Sequence, residues 1–253
     1  MTIQTDVFLQ YLNELMQPQK FQDYCPNGLQ VQGTSNIKKI ITGVSATQEL
    51  IDRAIEQKAD AILVHHGYFW KGESQVITGM KYKRIKALLN ADVNLIGYHL
   101  PLDCHETFGN NVQLAKVMNW SVDKSLSNGL QPGLVLKGTL NIPVSAKQLA
   151  MQFKAKLDFK PIMIGGESKI IKDIVWCTGA AQGYLQHAID INADAFITGE
   201  ISENTVHNAV ENDIQYFACG HHATERYGIQ ALGEHLAERF NIEHEFIDCP
   251  VPV

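Results

Sequence analysis

The chain of 253 residues lacks several features that would each point to a particular class of protein. Its five cysteines are odd in number and form no C-x-x-C pair, which favours reduced thiols over a disulfide framework and indicates no Cys-ligated zinc. No apolar stretch of about 18 residues is present, and no basic region leads into an apolar one at the start of the chain. We therefore expect a cytoplasmic protein that is neither secreted nor embedded in a membrane.

Excess positive charge and nucleotide-loop motifs are also missing. The chain has 21 Lys and Arg against 27 Asp and Glu, a net charge of −6, which does not favour a protein that holds nucleic acid through its phosphates. It contains no G-x-x-x-x-G-K-[ST], no G-x-G-x-x-G after a strand and no G-x-S-x-G. A small phosphorylated ligand stays compatible with this balance if metal ions supply positive charge. Metal chemistry is the strongest candidate that remains.

What the sequence does contain is an internal repeat. Residues 37–66 align without a gap to residues 171–200, and ten of the thirty positions are identical. The first copy ends in His65-His66 and the second in Gly199-Glu200. After each copy an apolar run ends in a histidine that has a carboxylate four residues later. These pairs are His99 with Asp103 and His221 with Glu225. A duplicated scaffold with ligand residues at equivalent strand ends predicts one metal site built from both halves.

The hydrophobic pattern of the first copy predicts a βαβ unit, and therefore a parallel sheet with functional groups at the carboxyl ends of its strands. The predicted strands are residues 38–44, 61–64, 93–98, 134–140 and 215–219. The predicted helices are residues 7–16, 47–57, 82–90, 145–157 and 223–240, and a turn is predicted at residues 127–129. The fold class is α/β, with duplicated βαβ halves and mixed, largely parallel sheets in a pseudo-symmetric two-lobed fold. We expect a first half at 1–120, a connecting subdomain at 121–170 that can pair with the second sheet, and a second half at 171–253.

His65-His66 is the sharpest local signal. Adjacent side chains on a strand point to opposite faces, so the pair can bind one ion only if the strand ends there and the chain turns. Gly67 can supply that turn. Two solvated or hydrogen-bonded loop histidines are the alternative.

The remaining ligand pairs differ in their predicted backbone. Pro101 disfavours helix at the residue before it, so His99 and Asp103 are expected on an irregular turn. His221 and Glu225 are expected one helical turn apart, facing the same point. Imidazole nitrogens and carboxylates from both halves can surround two divalent ions.

Two further features leave alternatives open. Glu200 can be another ligand, a residue that orients a ligand, a general base, or a surface acid that caps a helix. The run Tyr68-Phe69-Trp70 can wall a pocket, stack on a base, or pack in the core.

Five ordered motifs resemble the Nif-three-like family, also called GTP cyclohydrolase I type 2 homologues, and most of all its short bacterial YbgI-type members. The motifs are Asn27-Gly28-Leu29-Gln30-Val31, Val64-His65-His66-Gly67-Tyr68-Phe69-Trp70, Tyr98-His99-Leu100-Pro101-Leu102-Asp103, Thr198-Gly199-Glu200 and Gly220-His221-His222-Ala223-Thr224-Glu225-Arg226. The resemblance covers essentially the whole chain. It implies a duplicated α/β fold, a dinuclear metal centre and a toroidal homohexamer whose sites face an internal cavity. Longer members carry an extra domain between the halves, for which residues 121–170 are too few.

Carried over by motif, the implied metal ligands are His65, His66, Asp103, His221 and Glu225, with His99 beside them. His and carboxylate ligands suit zinc, iron, manganese or nickel almost equally. We therefore expect a dinuclear metal-dependent hydrolase of a nucleotide or related small substrate, acting as a GTP cyclohydrolase or on damaged nucleotides. Glu200 or His99 is the candidate for proton transfer. The alternative is a non-enzymatic, metal-binding ring that binds protein or DNA.

Overall fold

A computed structural model describes residues 1–126 and 130–253, so the turn predicted at 127–129 lies outside the described residues. The chain forms two compact units: unit 1 is residues 1–102 with 229–249, and unit 2 is residues 103–228 with 250–253. This division differs from the predicted boundaries at residues 120 and 170. Residues 243–246, from the predicted second half, form a strand of the unit 1 sheet. Residues 114–118, from the predicted first half, pack in the unit 2 core. Within the described ranges, no helix is long and apolar enough to cross a bilayer.

The helices and strands are numbered in chain order. The α-helices are α1 Thr5–Met16, α2 Gln48–Glu56, α3 Gly79–Asn90, α4 Leu100–Cys104, α5 Asn110–Met118, α6 Ala146–Leu157, α7 Leu185–Asp190, α8 Glu203–Glu211 and α9 His221–Phe240. The strands are β1 Ile3–Gln4, β2 Gly28–Val31, β3 Asn36–Ile37, β4 Lys39–Ser45, β5 Ala61–His66, β6 Asn94–Gly97, β7 Trp120–Ser125, β8 Leu136–Ser145, β9 Ile162–Ile164, β10 Ile170–Trp176, β11 Ala195–Thr198, β12 Gln215–Ala218 and β13 Glu243–Phe246.

Unit 1 is built on a largely parallel sheet, as the βαβ pattern predicts. Its strand order is β13-β4-β5-β6-β2, in which the first four strands are parallel and β2 is antiparallel. The central strand β5 is buried along residues 61–64 because helices and sheet neighbours cover both of its faces. Thr47 caps α2 by accepting a hydrogen bond from the backbone N–H of Leu50. The carboxyl ends of β4, β5 and β6 therefore carry Ser45, His65 with His66, and Tyr98 to a common edge of this sheet.

Unit 2 contains a mixed sheet. Among the described residues its strand order is β7-β8-β10-β11-β12-β9, with β10, β11 and β12 parallel and the outer pairings antiparallel. The predicted pairing of the connecting region with this sheet is confirmed, because β8 lies beside β10. Ser145 begins α6 with a capping box to Gln148, close to the predicted start. The α/β fold class with mixed sheets is confirmed.

One identical residue performs the same task in both copies of the repeat. Asp60 accepts hydrogen bonds from the backbone N–H groups of Lys38 and Lys39 at 2.7 and 2.9 Å. Asp194 accepts equivalent bonds from the backbone N–H groups of residues 172 and 173, both at 2.9 Å. Each carboxylate lies just before the second strand of its βαβ unit and thus ties that strand to the amino-terminal part of the first. The repeat therefore keeps the same hydrogen-bonded link between the two strands of each βαβ unit.

The segment after β6 differs from its prediction. Residues 100–104 form the short helix α4, not an irregular turn. Pro101 is accepted there because it lies in the first helical turn, where a backbone N–H has no intrahelical acceptor. The buried Asp23 carboxylate accepts the backbone N–H of Leu100 at 2.9 Å and so caps the helix start.

Replacing Asp60 by Ala should lower the free energy of unfolding by about 2 kcal/mol, because two backbone N–H groups lose a charged acceptor. Asp194→Ala should have a similar effect in unit 2. Urea unfolding followed by circular dichroism measures both. Glu56→Ala, an exposed acid on α2, is the control and should change stability by less than about 0.5 kcal/mol. Asp60→Ala stability equal to that of this control would contradict the assignment.

Candidate metal centre

Unit 1 brings three histidines together at the carboxyl edge of its sheet. The ring centroids of His65 and His66 are 4.4 Å apart, and those of His65 and His99 are 5.1 Å apart. One potential ligand atom from each of the three residues lies within 4.8 Å of the others. Although His65 and His66 are neighbours on one strand, their rings converge where β5 ends. The predicted turn after His66 is therefore compatible with a shared ion.

The strands on either side of β5 orient these rings. Nδ1 of His65 donates to the backbone carbonyl of Tyr98, after β6, at 3.1 Å. Nδ1 of His66 lies 3.0 Å from the hydroxyl of Ser45, at the end of β4. Engaging Nδ1 makes Nε2 the nitrogen that can bind a metal ion, which is the arrangement usual for metal-ligating histidines.

His99 is oriented by Asp23, a residue that the sequence analysis did not identify. Nδ1 of His99 donates to the Asp23 carboxylate at 2.7 Å, and the Asp23 side chain is only 4% exposed. Burial opposes ionisation, yet the hydrogen bond and charge of His99 keep the pKa of Asp23 below its usual value. Asn27 accepts the backbone N–H of His99 at 2.7 Å. Asn27 belongs to one of the motifs that resemble the family, but the spacing of that motif does not indicate this contact, which joins loop residues far apart in sequence.

The run Tyr68-Phe69-Trp70 divides between the predicted alternatives. Tyr68 is core: it is 7% exposed and its hydroxyl donates to the carbonyl of Ala46 at 2.7 Å. Trp70 stands edge-on to His99, with centroids 4.9 Å apart, and so walls the histidine cluster. Phe69 is 37% exposed with a positive φ of 66°, a backbone region that few non-glycine residues adopt.

Unit 2 pairs one histidine with two carboxylates at the start of α9. Nδ1 of His221 donates to Oε1 of Glu200 at 2.7 Å, and Nε2 of His221 lies 3.1 Å from Oε2 of Glu225. Burial lowers the pKa of His221, but hydrogen bonds and charge from Glu225 and Glu200 outweigh it and raise that pKa to about 9. The side chains of His221 and Glu225 therefore face one point, as the helical spacing predicts.

Asp103 adds a second buried carboxylate to unit 2. It is 7% exposed, and the side-chain amide of Asn110 donates to its Oδ1 at 2.8 Å. Burial, followed by the negative charge of Asp103 and of acidic groups that include Glu225, raises the pKa of the Cys177 thiol well above its usual value. Two buried carboxylates acting on one thiol mark a region that favours a cation.

The repeat provides room for Glu225 by a single substitution. Ser45 in the first copy aligns with Gly179 in the second. A Cβ at Gly179 would lie 1.9 Å from Oε1 of Glu225, and its φ of 71° suits glycine. The same backbone position therefore orients His66 through a hydroxyl in unit 1 and admits a carboxylate in unit 2.

The two histidine and carboxylate pairs are displaced by one residue relative to each other. The equivalent backbone hydrogen bonds after each parallel sheet run from Tyr98 to Val64 and from Cys219 to Thr198. His99 follows directly in unit 1, whereas Gly220 occupies that place in unit 2 and His221 comes one position later. The predicted equivalence of His99 and His221 is therefore wrong by one residue. Both helices begin at the equivalent position, α4 at Leu100 and α9 at His221, so His99 lies just before its helix whereas His221 is the first residue of its helix.

Each unit thus carries a set of side chains that suits divalent ions. In three of the four histidines, Nδ1 faces a carbonyl or carboxylate oxygen and donates its proton to that acceptor, so Nε2 is the ring nitrogen that can act on an ion or a proton. Nitrogen and oxygen donors together suit first-row transition metals better than Mg²⁺ or Ca²⁺. The fold and these clusters define an α/β protein with duplicated βαβ halves whose His, Asp and Glu clusters can bind metal.

Comparison with known proteins identifies the family to which this α/β protein belongs. The Duf34/NIF3 (NGG1p interacting factor 3) family matches residues 3–251, and the chain belongs to this family. It is 48% identical over 252 residues to a GTP cyclohydrolase 1 type 2 homolog of Pseudomonas aeruginosa, covering 100% of both chains. A protein of Haemophilus influenzae with the same name is 51% identical over 244 residues, covering 96% of this chain and 97% of that one. The solved structure of protein ybgI, described as of unknown function, superposes with a TM-score of 0.94 at 46% identity, covering 99% of this chain and 100% of that one.

Gly179→Ala should displace Glu225, because the added methyl group and the positive φ are both unfavourable. We expect a loss of stability of about 2 kcal/mol and metal affinity at least about tenfold weaker. Denaturant unfolding and a competitive metal-chelator titration measure the two effects. Gly183→Ala is the matched control, since its added Cβ would meet nothing within 4 Å. Equal metal affinity in both variants would refute the role of Gly179.

Because the folded state raises the pKa of His221 from 6.5 to about 9, protonation of His221 stabilises the metal-free fold. This stabilisation is complete below pH 6.5 and is lost as the pH rises through about 9. The thermal midpoint of metal-free protein should therefore fall across this window, and metal affinity should rise as the competing proton leaves. His221→Asn should flatten the profile, whereas the exposed His207→Asn should not. A wild-type profile identical to that of His221→Asn would contradict the assigned pKa.

Proposed function

We propose that the chain is a metal-dependent hydrolase that binds about two divalent ions and acts on a nucleotide or a related small molecule. The observation that carries the proposal is the set of oxygen partners at Nδ1 of His65, His66, His99 and His221. A histidine used only for packing does not need its ring fixed in this way. Four histidine rings are fixed in this way, each at or just after the carboxyl end of a strand. This arrangement supports a metal-binding role.

The proposed ligands are His65 and His66 of unit 1 and Asp103, His221 and Glu225 of unit 2. This inventory exceeds what one four-coordinate ion requires, which supports more than one ion. When bound, divalent ions would supply Lewis acidity and lower the pKa of water at the site. The protein contributes fixed ring orientation, since Ser45, Tyr98 and Glu200 hold three of these imidazoles.

Proton transfer is proposed for His99. Its Nδ1 is held by the buried Asp23 carboxylate, so Nε2 can take a proton while Asp23 stabilises the resulting charge. The Trp70 ring packs perpendicular to the His99 ring, with the centroids 4.9 Å apart. Glu200 is the other candidate from the sequence, but its hydrogen bond to His221 supports an orienting role for it instead.

A nucleotide substrate is supported by the relatives named GTP cyclohydrolase 1 type 2 homolog. The acidic chain, with a net charge of −6, would need bound cations to attract a polyphosphate. Attack of water on the purine at C8 would open the imidazole ring to a formamide, and a second hydrolysis would release formate. Hydrolysis of a damaged nucleotide or of a phosphoester would use the same ligands without releasing it. Proton transfer by His99 serves either reaction.

Metal-loaded wild-type protein should contain about two ions per chain and hydrolyse a nucleotide, with formate released if GTP is opened. The His65→Ala, His66→Ala double variant should lose at least one ion and reduce turnover by about a hundredfold or more, because ligands cannot be replaced by a methyl group. Elemental analysis, formate detection and a nucleotide panel measure these outcomes across zinc, iron, manganese and nickel.

His187→Ala is the control, because His187 lies on α7 and belongs to neither cluster. Metal content of no more than one ion per chain would contradict the dinuclear proposal. Hydrolysis that is unchanged in the double variant would assign the activity to a contaminant. Metal binding without turnover of any substrate would favour the alternative of a non-enzymatic metal-binding scaffold.

Self-association is proposed from the family resemblance, with a homohexamer as the expected state. Trp120 is 7% exposed and packs edge-on to Phe153 and Trp176, so it belongs to the core and contributes no surface for self-association. Tyr184 and Tyr227 are half-buried. Sedimentation velocity at micromolar concentration should show one species of about six chains, and a monomer would refute this proposal.

A further inference from the structure

Two adjacent asparagines at the start of α5, Asn110 and Asn111, are fully buried and belong to none of the five motifs that resemble the family. A buried side-chain amide is unfavourable unless its donors and its acceptor find partners. Both amides are paired within unit 2, but with different kinds of group. Asn110 bonds to the carboxylate of a proposed metal ligand, whereas Asn111 bonds to backbone groups. The two residues therefore have different tasks.

The Asn110 amide joins Asp103 to α9. Its Nδ2 donates to Oδ1 of Asp103 at 2.8 Å, and its Oδ1 accepts the backbone N–H of Gly228 at 3.2 Å. These partners fix which amide atom is nitrogen and which is oxygen, because an ionised carboxylate only accepts and a backbone N–H only donates. A flipped amide would place like groups against each other at both ends. The orientation of this buried side chain is therefore determined.

Helix α9 packs directly on this amide. A Cβ at Gly228 would lie 2.3 Å from Oδ1 of Asn110 and 2.9 Å from its backbone nitrogen, so a glycine is needed for the approach. Gly228 lies three residues after Glu225, and so about one helical turn further along α9. One neutral amide thus touches both Asp103 and the helix that carries His221 and Glu225.

Asn111 holds the backbone around the site. Its Nδ2 donates to the carbonyls of Leu134 and Gly133 at 2.9 and 3.2 Å, and more weakly to that of Asp103 at 3.4 Å. Its Oδ1 accepts the backbone N–H of Thr178 at 2.9 Å. Each of these partners is a backbone group. Asn111 is therefore an equally buried amide that serves as a matched comparison for its neighbour.

We propose that Asn110 is a positioning residue that fixes the Asp103 carboxylate relative to the ligands on α9. Hydrogen bonds to a ligating carboxylate orient it, and their loss typically weakens metal binding by roughly ten- to a hundredfold. A neutral donor suits this place because it stabilises the ionised carboxylate that a metal requires. A lysine would also donate, but its positive charge would oppose the ion. This inference rests on the proposed metal-binding function and adds a residue that acts through Asp103.

Asn110→Ala and Asn111→Ala form a matched pair, since each removes one buried amide. Both variants should unfold at a lower urea concentration than wild type. Only Asn110→Ala should weaken Co²⁺ binding, by about tenfold or more in a competitive chelator titration. It should also change the visible absorption of bound Co²⁺, which reports ligand geometry. In Asn111→Ala, Co²⁺ affinity and spectrum should stay close to those of wild type. Equal weakening in the two variants would show a merely structural role and overturn the proposal.

Asn110→Asp tests the same role if the alanine variant does not fold. The new carboxylate keeps the size of the side chain and can still accept from Gly228, but it presents an acceptor to Asp103 in place of the donor. The absorption spectrum of bound Co²⁺ should change, whereas Asn111→Asp should leave it as in wild type. A wild-type spectrum in Asn110→Asp would overturn the proposal.

Failure of this inference and failure of the proposed function give different results. Wild-type protein that binds no Co²⁺ would refute both. Wild-type protein that binds Co²⁺ with the same affinity and spectrum as Asn110→Ala would refute only the role of Asn110. Neither readout requires turnover, so the identity of the substrate does not affect the test.

Discussion

The candidate metal chemistry depends on one constraint, the engagement of each histidine Nδ1 by an oxygen atom supplied by neighbouring structure. A neutral imidazole has one donor and one acceptor nitrogen, and the partner of Nδ1 decides which is which. In unit 1 the partners are Ser45, the carbonyl of Tyr98 and the carboxylate of Asp23, and in unit 2 the partner is Glu200. Because strand ends and capped turns hold these oxygens, ring orientation is fixed before any ion binds.

The two copies of the repeat keep the same βαβ backbone but carry different ligand side chains at their strand ends. Asp60 and Asp194 accept equivalent pairs of backbone N–H groups, so the first two strands are linked in the same way in both βαβ units. At one aligned position, Ser45 supplies a hydroxyl to His66, whereas Gly179 leaves space for Glu225. One scaffold thus yields a histidine-rich cluster in unit 1 and a carboxylate-rich cluster in unit 2. A few substitutions at contact positions are enough to change the ligand side chains, because the hydrogen bonds of Asp60 and Asp194 that link the strands do not change.

The proposed roles separate the residues of the two clusters by their surroundings. His99 is backed by a buried carboxylate and packs perpendicular to the Trp70 ring, which is the setting of a proton-transfer residue. Glu200 is more exposed and bonds to Nδ1 of His221, which is the setting of a residue that orients a ligand histidine. The family name by itself distinguishes neither role. The distinction comes from burial and hydrogen-bond partners.

The sequence by itself determined the fold class, the buried strands such as residues 61–64, the helix that starts near Ser145 and the ligand types at the strand ends, because these follow from periodicity and an internal repeat. Tertiary structure alone decided the partners that orient those ligands. Asp23 reaches His99 across 76 positions of the chain, and Gly179 reaches Glu225 across a βαβ unit and the start of α9. It also decided that residues 243–246 complete the unit 1 sheet. Such contacts depend on how distant segments pack, and no local pattern encodes them.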